Sequence, residues 1–216
     1  MKWRFHTVLT IILVAAFGVF GHAKLATYTD ITSAPDFLDT CYVAEMPTEL
    51  AVLTCDEMAA SLPQTPFILK VTPIEEPTFF FKGWQQRVQI LQVFSGDGLT
   101  TNDEIYITLA RGMFYADDNG VDTGYVNFMR PGCNYLIFLS DIAGTTNHMD
   151  VFHLQANWIL APVFLYGTCE NVIAPVSGLS TYVPYRDVIH NEFFAVDAKG
   201  LSVFLALKEK MFDIYS

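Results

Sequence analysis

The sequence lacks the short motifs by which common catalytic and cofactor sites are found. It contains no GxSxG, no HExxH and no glycine-rich phosphate loop. Its four cysteines, Cys41, Cys55, Cys133 and Cys169, include no CxxC pair and no cysteine–histidine spacing typical of a zinc site. The sequence therefore favours a non-catalytic protein without a cofactor.

Positive charge is also scarce. The chain has 12 lysines and arginines against 23 aspartates and glutamates, and its formal net charge is −11. Nucleic acids and anionic membrane surfaces attract proteins through basic residues. The charge balance argues against both, and leaves an unidentified protein or a small ligand as the expected partner.

Only one uncharged apolar run is long, and it lies near the N-terminus at residues 8–20. It is shorter than the ~20 residues that a bilayer-spanning helix needs. Because Lys2 and Arg4 precede it and small residues follow, it predicts a secretory signal peptide over residues 1–23. Cleavage would leave residues 24–216 as a single secreted domain, without membrane attachment. An uncleaved membrane anchor is the alternative.

The four cysteines all follow the predicted signal peptide. An even number of cysteines in an exported chain predicts disulfides, and four cysteines allow three connectivities. Proximity in sequence favours Cys41 with Cys55, and Cys133 with Cys169. Four buried thiols are the alternative if the protein is exported to a reducing environment.

The stretch from Arg87 to Leu109 predicts two antiparallel strands joined by a Gly-Asp-Gly loop. The second strand alternates apolar and polar residues. The first starts in the same way and then shifts phase at Leu91, which predicts a β-bulge there. Four side chains should then be buried: Val88, Ile90, Ile105 and Ile107. Bent strands of this kind allow a small barrel to close.

Further elements are expected on both sides of this pair. Strands are predicted at residues 67–72, 78–82 and 135–139, followed by a final pair at 151–154 and 158–166. Thr54 to Glu57 matches a capping box and predicts a short helix that ends before Pro63. Residues 167–190 are expected to be irregular. A C-terminal helix is predicted at about 198–213, with Asp197 as its N-cap.

Three segments resemble the netrin/TIMP-like branch of OB-fold barrels, which also occurs in exported bacterial proteins of unknown role. They are VQILQVFSGDG, NDEIYITL and, after a Pro-Gly turn, YLIFL, and the resemblance covers about residues 67–140. It implies a mainly β fold: a five-stranded OB-like Greek-key barrel with a short N-terminal-side helix and a packed C-terminal helix. Metalloprotease inhibitors of that family bind the protease zinc through a cysteine at the mature N-terminus. Here the predicted mature chain starts at Lys24 and its first cysteine is Cys41, so no inhibitory residue can be assigned.

These observations favour a secreted β-barrel that acts as an interaction or binding module. One alternative is an exported hydrolase with a dispersed active site. Its candidate residues would be His148, His153 and His190, provided that they converge with acidic residues in a cleft. Ser177 and Ser180 have small neighbours, but nothing in the sequence marks a base or an oxyanion donor beside them.

A second alternative is a surface domain stabilised by calcium. Asp117, Asp118, Asn119 and Asp122 lie in one short loop and supply the oxygen ligands that calcium prefers. The loop lacks the ligand register of an EF-hand, and Asp-Asn-Gly is also a common turn sequence.

Overall fold

A computed structural model describes residues 10, 14–15, 17–19, 21, 37–80, 83–109, 114–115, 120–154, 159–174 and 181–215. The chain divides into two units, Met1–Ala34 and Pro35–Ser216. In the first unit, the described residues are helical and exposed. The predicted cleavage site after Ala23 lies outside the described residues. Among the described residues, none of the helices is both long enough and apolar enough to cross a bilayer.

The second unit is mainly β. Its strands are β1 (Tyr42–Ala44), β2 (Phe67–Pro73), β3 (Thr78–Phe80), β4 (Gly83–Ser95), β5 (Glu104–Leu109), β6 (Phe114–Tyr115), β7 (Gly120–Val121), β8 (Tyr135–Thr146), β9 (Met149–Leu154), β10 (Val163–Leu165) and β11 (Tyr182–Pro184). Its helices are α1 (Thr48–Ser61), α2 (Tyr185–Val188) and α3 (Ala198–Ile214), with 3-10 turns at Phe37–Thr40 and Leu62–Gln64.

Five of these strands close into a barrel in the order β2–β4–β5–β9–β8, with β8 pairing back to β2. The β5–β9 pair is parallel, and the other four pairs are antiparallel. Strand β10 extends the sheet beyond β8, and β3 pairs with the start of β4. The predicted five-stranded OB-like barrel with a C-terminal helix is confirmed.

The predicted bulge in β4 is also present. Val71 of β2 pairs with Ile90, whereas the preceding Lys70 pairs with Gln92, so Leu91 is the extra residue. A second irregularity leaves Phe94 without a partner in β2. The extra residues bend β4, so that its first half pairs with β5 and its second half with β2. The four side chains predicted to be buried are each at most 3% exposed.

The predicted capping box is wrong. Helix α1 begins at Thr48, seven residues before Cys55, where a cap at Thr54 would start it, and Thr54 is buried inside the helix, where it caps nothing. Ala51, Cys55 and Met58 form a stripe at helical spacing that packs into the core. Burial of this stripe sets the start of the helix, and the local capping signal does not.

Two further expectations about strands need correction. Strand β10 covers only part of residues 158–166, and it pairs with β8 and not with β9. The segment predicted to be irregular contains β11 and α2. Strand β11 pairs with β1, which continues through β7 to β6 in a second, four-stranded sheet. Strands of two or three residues are too short to show an apolar period, which is why the sequence gives no sign of this sheet.

The C-terminal helix begins as predicted. The Asp197 carboxylate accepts the Gly200 backbone N–H at 2.7 Å, and it also accepts the Thr48 hydroxyl at 2.6 Å. This second bond joins the N-termini of α1 and α3. Further along α3, the Lys208 ammonium contacts the Glu192 carboxylate at 2.6 Å, and both side chains are buried. The helix is therefore held by hydrogen bonds at its start and by an ion pair in its second half.

Candidate functional site

A cleft of about 300 Å³ lies beside the barrel and is formed by five separate parts of the chain. They are the 3-10 turn at residues 38–39, the β2–β3 loop at 76–77, the segment 127–130, Tyr185 of α2, and residues 189–190. This volume is at the lower end of the range for pockets that hold small molecules.

The apolar wall of the cleft is aromatic. Phe128 and Tyr185 line it, with ring centroids 6.4 Å apart. Behind them, Trp84 and Phe79 each contact Phe128 edge-on at 5.4 Å between centroids. Edge-to-face packing on several sides fixes the orientation of the Phe128 ring. The cleft therefore has a preformed aromatic surface.

Asn127 holds this wall in place. Its side-chain carbonyl accepts the Tyr185 hydroxyl at 2.7 Å and the Phe128 backbone N–H at 2.8 Å. Its amide group donates to the carbonyls of Ile189 and Asn191, each at 2.8 Å. These bonds use both lone pairs and both hydrogens of the side chain. Asn127 is thus a positioning residue with no group left for a ligand, whereas the Tyr185 oxygen can still accept a hydrogen bond.

Gln86 of β4 joins two other walls. Its buried amide donates to the Glu75 carbonyl at 2.9 Å and to the Met129 carbonyl at 2.7 Å. The first acceptor precedes the cleft residue Glu76, and the second belongs to the cleft itself. Its own side-chain oxygen has no hydrogen-bond partner among the described residues. One barrel side chain therefore fixes the distance between the β2–β3 loop and segment 127–130.

Arg130 brings a positive charge into the cleft. None of the carboxylates that the structure describes lies within ion-pair distance of its guanidinium. The guanidinium reaches the Cys169 sulfur at 3.6 Å, a weak acceptor. Partial burial acts to lower the pKa of Arg130, but the contacts with Cys169 and Tyr135 outweigh it and raise the pKa. The Arg130 side chain is therefore positively charged, and some of its N–H groups remain available to a ligand.

Glu192, which lies behind the cleft, forms its ion pair with Lys208 and not with Arg130. Its Oε1 accepts the Leu165 backbone N–H at 2.8 Å, and its Oε2 accepts the Lys208 ammonium at 2.6 Å. Burial raises the pKa of Glu192, while Lys208 acts to lower it. The acid and the lysine form a buried ion pair, and the more distant charge of Arg130 also acts to lower the pKa of Glu192. Arg130 itself forms no ion pair with a described carboxylate.

Three further ionisable side chains, Asp39, Glu76 and His190, lie exposed at the mouth of the cleft. Burial raises the pKa of Tyr185 well above its ordinary value, Arg130 acts to lower it, and Glu76 and Asp39 act to raise it further. The Tyr185 phenol therefore lies close enough to Arg130, Glu76 and Asp39 for their charges to affect its pKa. The cleft has one cation in its wall and two carboxylates at its mouth.

The structure does not bring the three candidate histidines together. His148 is at the tip of the β8–β9 hairpin, in a two-residue turn where it and Asn147 have positive φ. His190 is at the mouth of the cleft. His153 contacts the exposed Asp141 carboxylate at 3.2 Å on the barrel surface. Ser177 and Ser180 lie outside the described residues.

The group around His153 has the wrong order for nucleophilic catalysis. The Ser140 hydroxyl donates to Asp141 at 2.6 Å, and Asp141 in turn contacts His153. A serine nucleophile needs a histidine to take its proton, with the acid on the far side of the histidine. Here the acid lies between them, so Ser140 is not activated.

All four cysteines are free thiols in the structure, and neither predicted disulfide is formed there. Cys41 and Cys55 are buried, and burial raises the pKa of their thiols to about 11 and about 12. Cys133 and Cys169 are half-buried, and the Cys169 thiol donates to the His190 carbonyl at 2.8 Å.

The calcium loop falls mostly outside the described residues, since Asp117, Asp118 and Asn119 are not among them. Asp122 is described, and its carboxylate accepts the Gly124 backbone N–H at 2.9 Å, as in an ordinary turn. Within the described part of the chain, no group of three histidine, cysteine, aspartate or glutamate side chains is arranged to hold a metal. Calcium binding stays a prediction.

Sequence reasoning missed the residues that define the cleft. Arg130, Asn127 and Tyr185 belong to no recognisable motif in the sequence. The one available signal is that Arg130 directly follows the mostly apolar run VNFM at 126–129, and all four of these residues are buried in the structure.

No protein-family model matches the chain, and no curated protein or solved structure is significantly similar to it.

Proposed function

We propose that the protein is an exported, non-catalytic binding module that holds its ligand in this cleft. The observation that carries the proposal is the combination of a preformed aromatic wall with Arg130, which forms no ion pair with any described carboxylate. Pockets that bind small molecules are mostly apolar and contain a few fixed polar groups that orient the ligand. Holding a charge partly buried without a counter-ion costs free energy, and a bound anion would remove that cost.

The arrangement of ionisable groups supports binding over catalysis. The exposed His190 has no described carboxylate within 4 Å. The Tyr185 hydroxyl donates its hydrogen to the side chain of Asn127, whose own hydrogen-bonding groups are all in use. A histidine that acts as general base is oriented by hydrogen bonds to the group whose proton it takes and to an acid. The His190 ring forms no such ion pair with the carboxylates that the structure describes.

A blocking variant tests this function. Leu38 is half-buried in the cleft wall, and Leu38→Trp should fill part of the cavity. The matched control is Leu53→Trp, because Leu53 is 65% exposed on α1, outside the cleft. A fragment library is screened against the three proteins by ligand-observed NMR. Fragments that bind the wild type and Leu53→Trp should not bind Leu38→Trp, and equal binding to all three would contradict the proposal.

Catalysis is tested separately with chromogenic esters, amides and glycosides. We expect no turnover above the buffer rate. Turnover by the wild type that Ser140→Ala or His153→Ala abolishes would overturn the non-catalytic assignment and support the hydrolase.

Export is part of the proposal, together with the netrin/TIMP-like resemblance and the two disulfides, Cys41–Cys55 and Cys133–Cys169. The resemblance is proposed because the segments that carry it form strands of the five-stranded barrel, which spans residues 67–154. The test is mass spectrometry of protein secreted by a host expressing the full chain, intact and after non-reducing digestion. A chain that starts at Lys24 and carries both linked peptides is the expected result. Retention in the cell with an intact N-terminus would contradict export.

A further inference from the structure

We propose that the cleft selects a short zwitterionic ligand, a free amino acid or dipeptide whose carboxylate binds Arg130 and whose ammonium binds Asp39 and Glu76. The inference rests on the proposed binding function of the cleft and adds the class of ligand.

The carboxylate end follows from Arg130. Guanidinium groups pair with carboxylates through two parallel hydrogen bonds, and this geometry needs two adjacent N–H donors. Arg130 has five such donors, and the side-chain acceptors that the described residues offer them, the Cys169 sulfur at 3.6 Å and the Tyr135 hydroxyl, are not carboxylates. A ligand carboxylate would give this cation the charged partner that the fold does not provide.

The ammonium end follows from the acids at the mouth. Asp39 comes from the 3-10 turn and Glu76 from the β2–β3 loop, so two unrelated segments each bring one carboxylate to the same opening. Neither forms an ion pair with any cation in the described part of the chain. Because no described carboxylate reaches Arg130 within 4 Å, the two kinds of charge stay separate. A ligand with one charge of each sign can satisfy both.

The aromatic wall provides a surface for the part of the ligand between its two charged groups. Phe128 and Tyr185 lie among the same lining residues as Arg130 and the two acids, and Leu38 and Ile189 add aliphatic surface. An apolar side chain of the ligand would pack there, while the Tyr185 oxygen could accept a hydrogen bond from the ligand's peptide N–H. A cavity of about 300 Å³ limits the ligand to a small molecule.

The test is isothermal titration calorimetry of the full protein with L-leucine and L-leucyl-glycine. The same compounds are then measured with the amine acetylated or with the carboxylate amidated. Each cap removes one charge while the apolar side chain is kept. We expect at least one of the two free compounds to bind, and each cap to weaken its binding by at least about tenfold, as for the loss of one charge-assisted hydrogen bond.

Variants assign the two ends. Arg130→Gln should weaken binding of the uncapped compound. In this variant, amidation of the carboxylate should no longer reduce the affinity, whereas acetylation of the amine should still reduce it. In the double variant Asp39→Asn/Glu76→Gln, acetylation of the amine should no longer reduce the affinity, whereas amidation of the carboxylate should still reduce it. Lys210→Gln and Glu49→Gln, which change exposed charges outside the cleft, should leave binding unchanged. If Arg130→Gln does not fold, the capped series on the wild-type protein still decides the question.

Two results would overturn the inference. If the capped compounds bind as well as the free ones, the protein does not recognise the charges of the ligand. If Leu38→Trp then abolishes binding of both the capped and the free compounds, the cleft is still the binding site and only the proposed ligand class is wrong. Absence of binding by all compounds would also reject the zwitterionic ligand, and the fragment screen with Leu38→Trp then decides the function of the cleft separately.

Discussion

Glu45 follows the short strand β1 and is buried, and it forms no ion pair with any described cation. Its side chain is 1% exposed, and neither carboxylate oxygen has a well-formed hydrogen bond among the described residues, although the Ala174 backbone lies close enough to favour the charged form. Burial raises the pKa of Glu45 from 4.5 to about 7, with a small opposing effect from the Ala174 backbone. The folded protein therefore holds this proton far more tightly than the unfolded chain does.

This burial predicts a pH dependence of stability. Between pH 4.5 and about 7 the unfolded carboxyl has lost its proton while the folded one keeps it, so the free energy of unfolding falls as pH rises through this range. The fall should be at most about 3 kcal/mol, since one pKa unit corresponds to about 1.4 kcal/mol. Glu45→Gln, measured by urea unfolding across this range, should flatten that part of the profile.

The exposed Glu49 provides the control, and Glu49→Gln should keep the wild-type slope. Glu192, whose pKa burial also raises, contributes equally to all three profiles, so the difference isolates Glu45. Parallel profiles for the wild type and Glu45→Gln would show that the carboxyl at position 45 is not responsible.

The cysteines should divide into two reactivity classes in the reduced, folded protein. The thiolate is the reactive form, and burial raises the pKa of Cys41 and Cys55. An increase from 9 to about 11 alone lowers the thiolate fraction about a hundredfold at neutral pH. Timed alkylation followed by peptide mass spectrometry should label Cys133 and Cys169 first. In urea the four rates should converge, and similar rates in the native protein would contradict the buried positions.

At the scale of the elements, the start of α3 depends on one aspartate. Asp197→Ala removes the N-cap bond to Gly200 and the bond from Thr48, so we expect the midpoint of chemical unfolding to move to a lower denaturant concentration. Asp213 lies in the last turn of the same helix, where a negative charge is unfavourable. Asp213→Ala should therefore be neutral or slightly stabilising. Equal losses for the two variants would argue against the cap.

The elements differ in how far the sequence predicted them. The bulge at Leu91 was predictable because the shift in apolar phase within one strand records which face each residue buries. The helix start at Thr48 was not, since the capping signature at Thr54 is local while the apolar stripe of α1 is selected by the core it packs against. β1 and β11 form only through pairing between distant segments, and two or three residues carry no period.

At the scale of the molecule, the Lys208–Glu192 pair ties the C-terminal helix to the segment beside β10. Lys208→Met would leave Glu192 buried and unpaired, and we expect a loss of about 3–5 kcal/mol in urea unfolding. Adding Glu192→Gln should restore more than about 1 kcal/mol, since the amide oxygen can still accept the Leu165 N–H. The exposed control Lys210→Met should change stability by less than about 0.5 kcal/mol. A double variant as unstable as Lys208→Met would contradict this account.

The cleft exists only at this largest scale. Its residues come from five segments of the chain, and none of those segments contains a recognisable motif. The barrel was predictable because it rests on periodic patterns within single strands. The cleft depends on how side chains such as Gln86 and Asn127 bring separate loops together, and such contacts leave no local signal.

The central claim, that this cleft is where the protein binds its ligand, is tested most directly by chemical-shift mapping. Isotope-labelled protein is titrated with the fragments and dipeptides that bind the wild type, and backbone amide shifts are assigned. We predict that the largest shifts fall at residues 38–39, 76, 127–130 and 185–190. Shifts that cluster elsewhere, for example around Tyr42 and Tyr182 on the outer face of the small sheet, would contradict the claim.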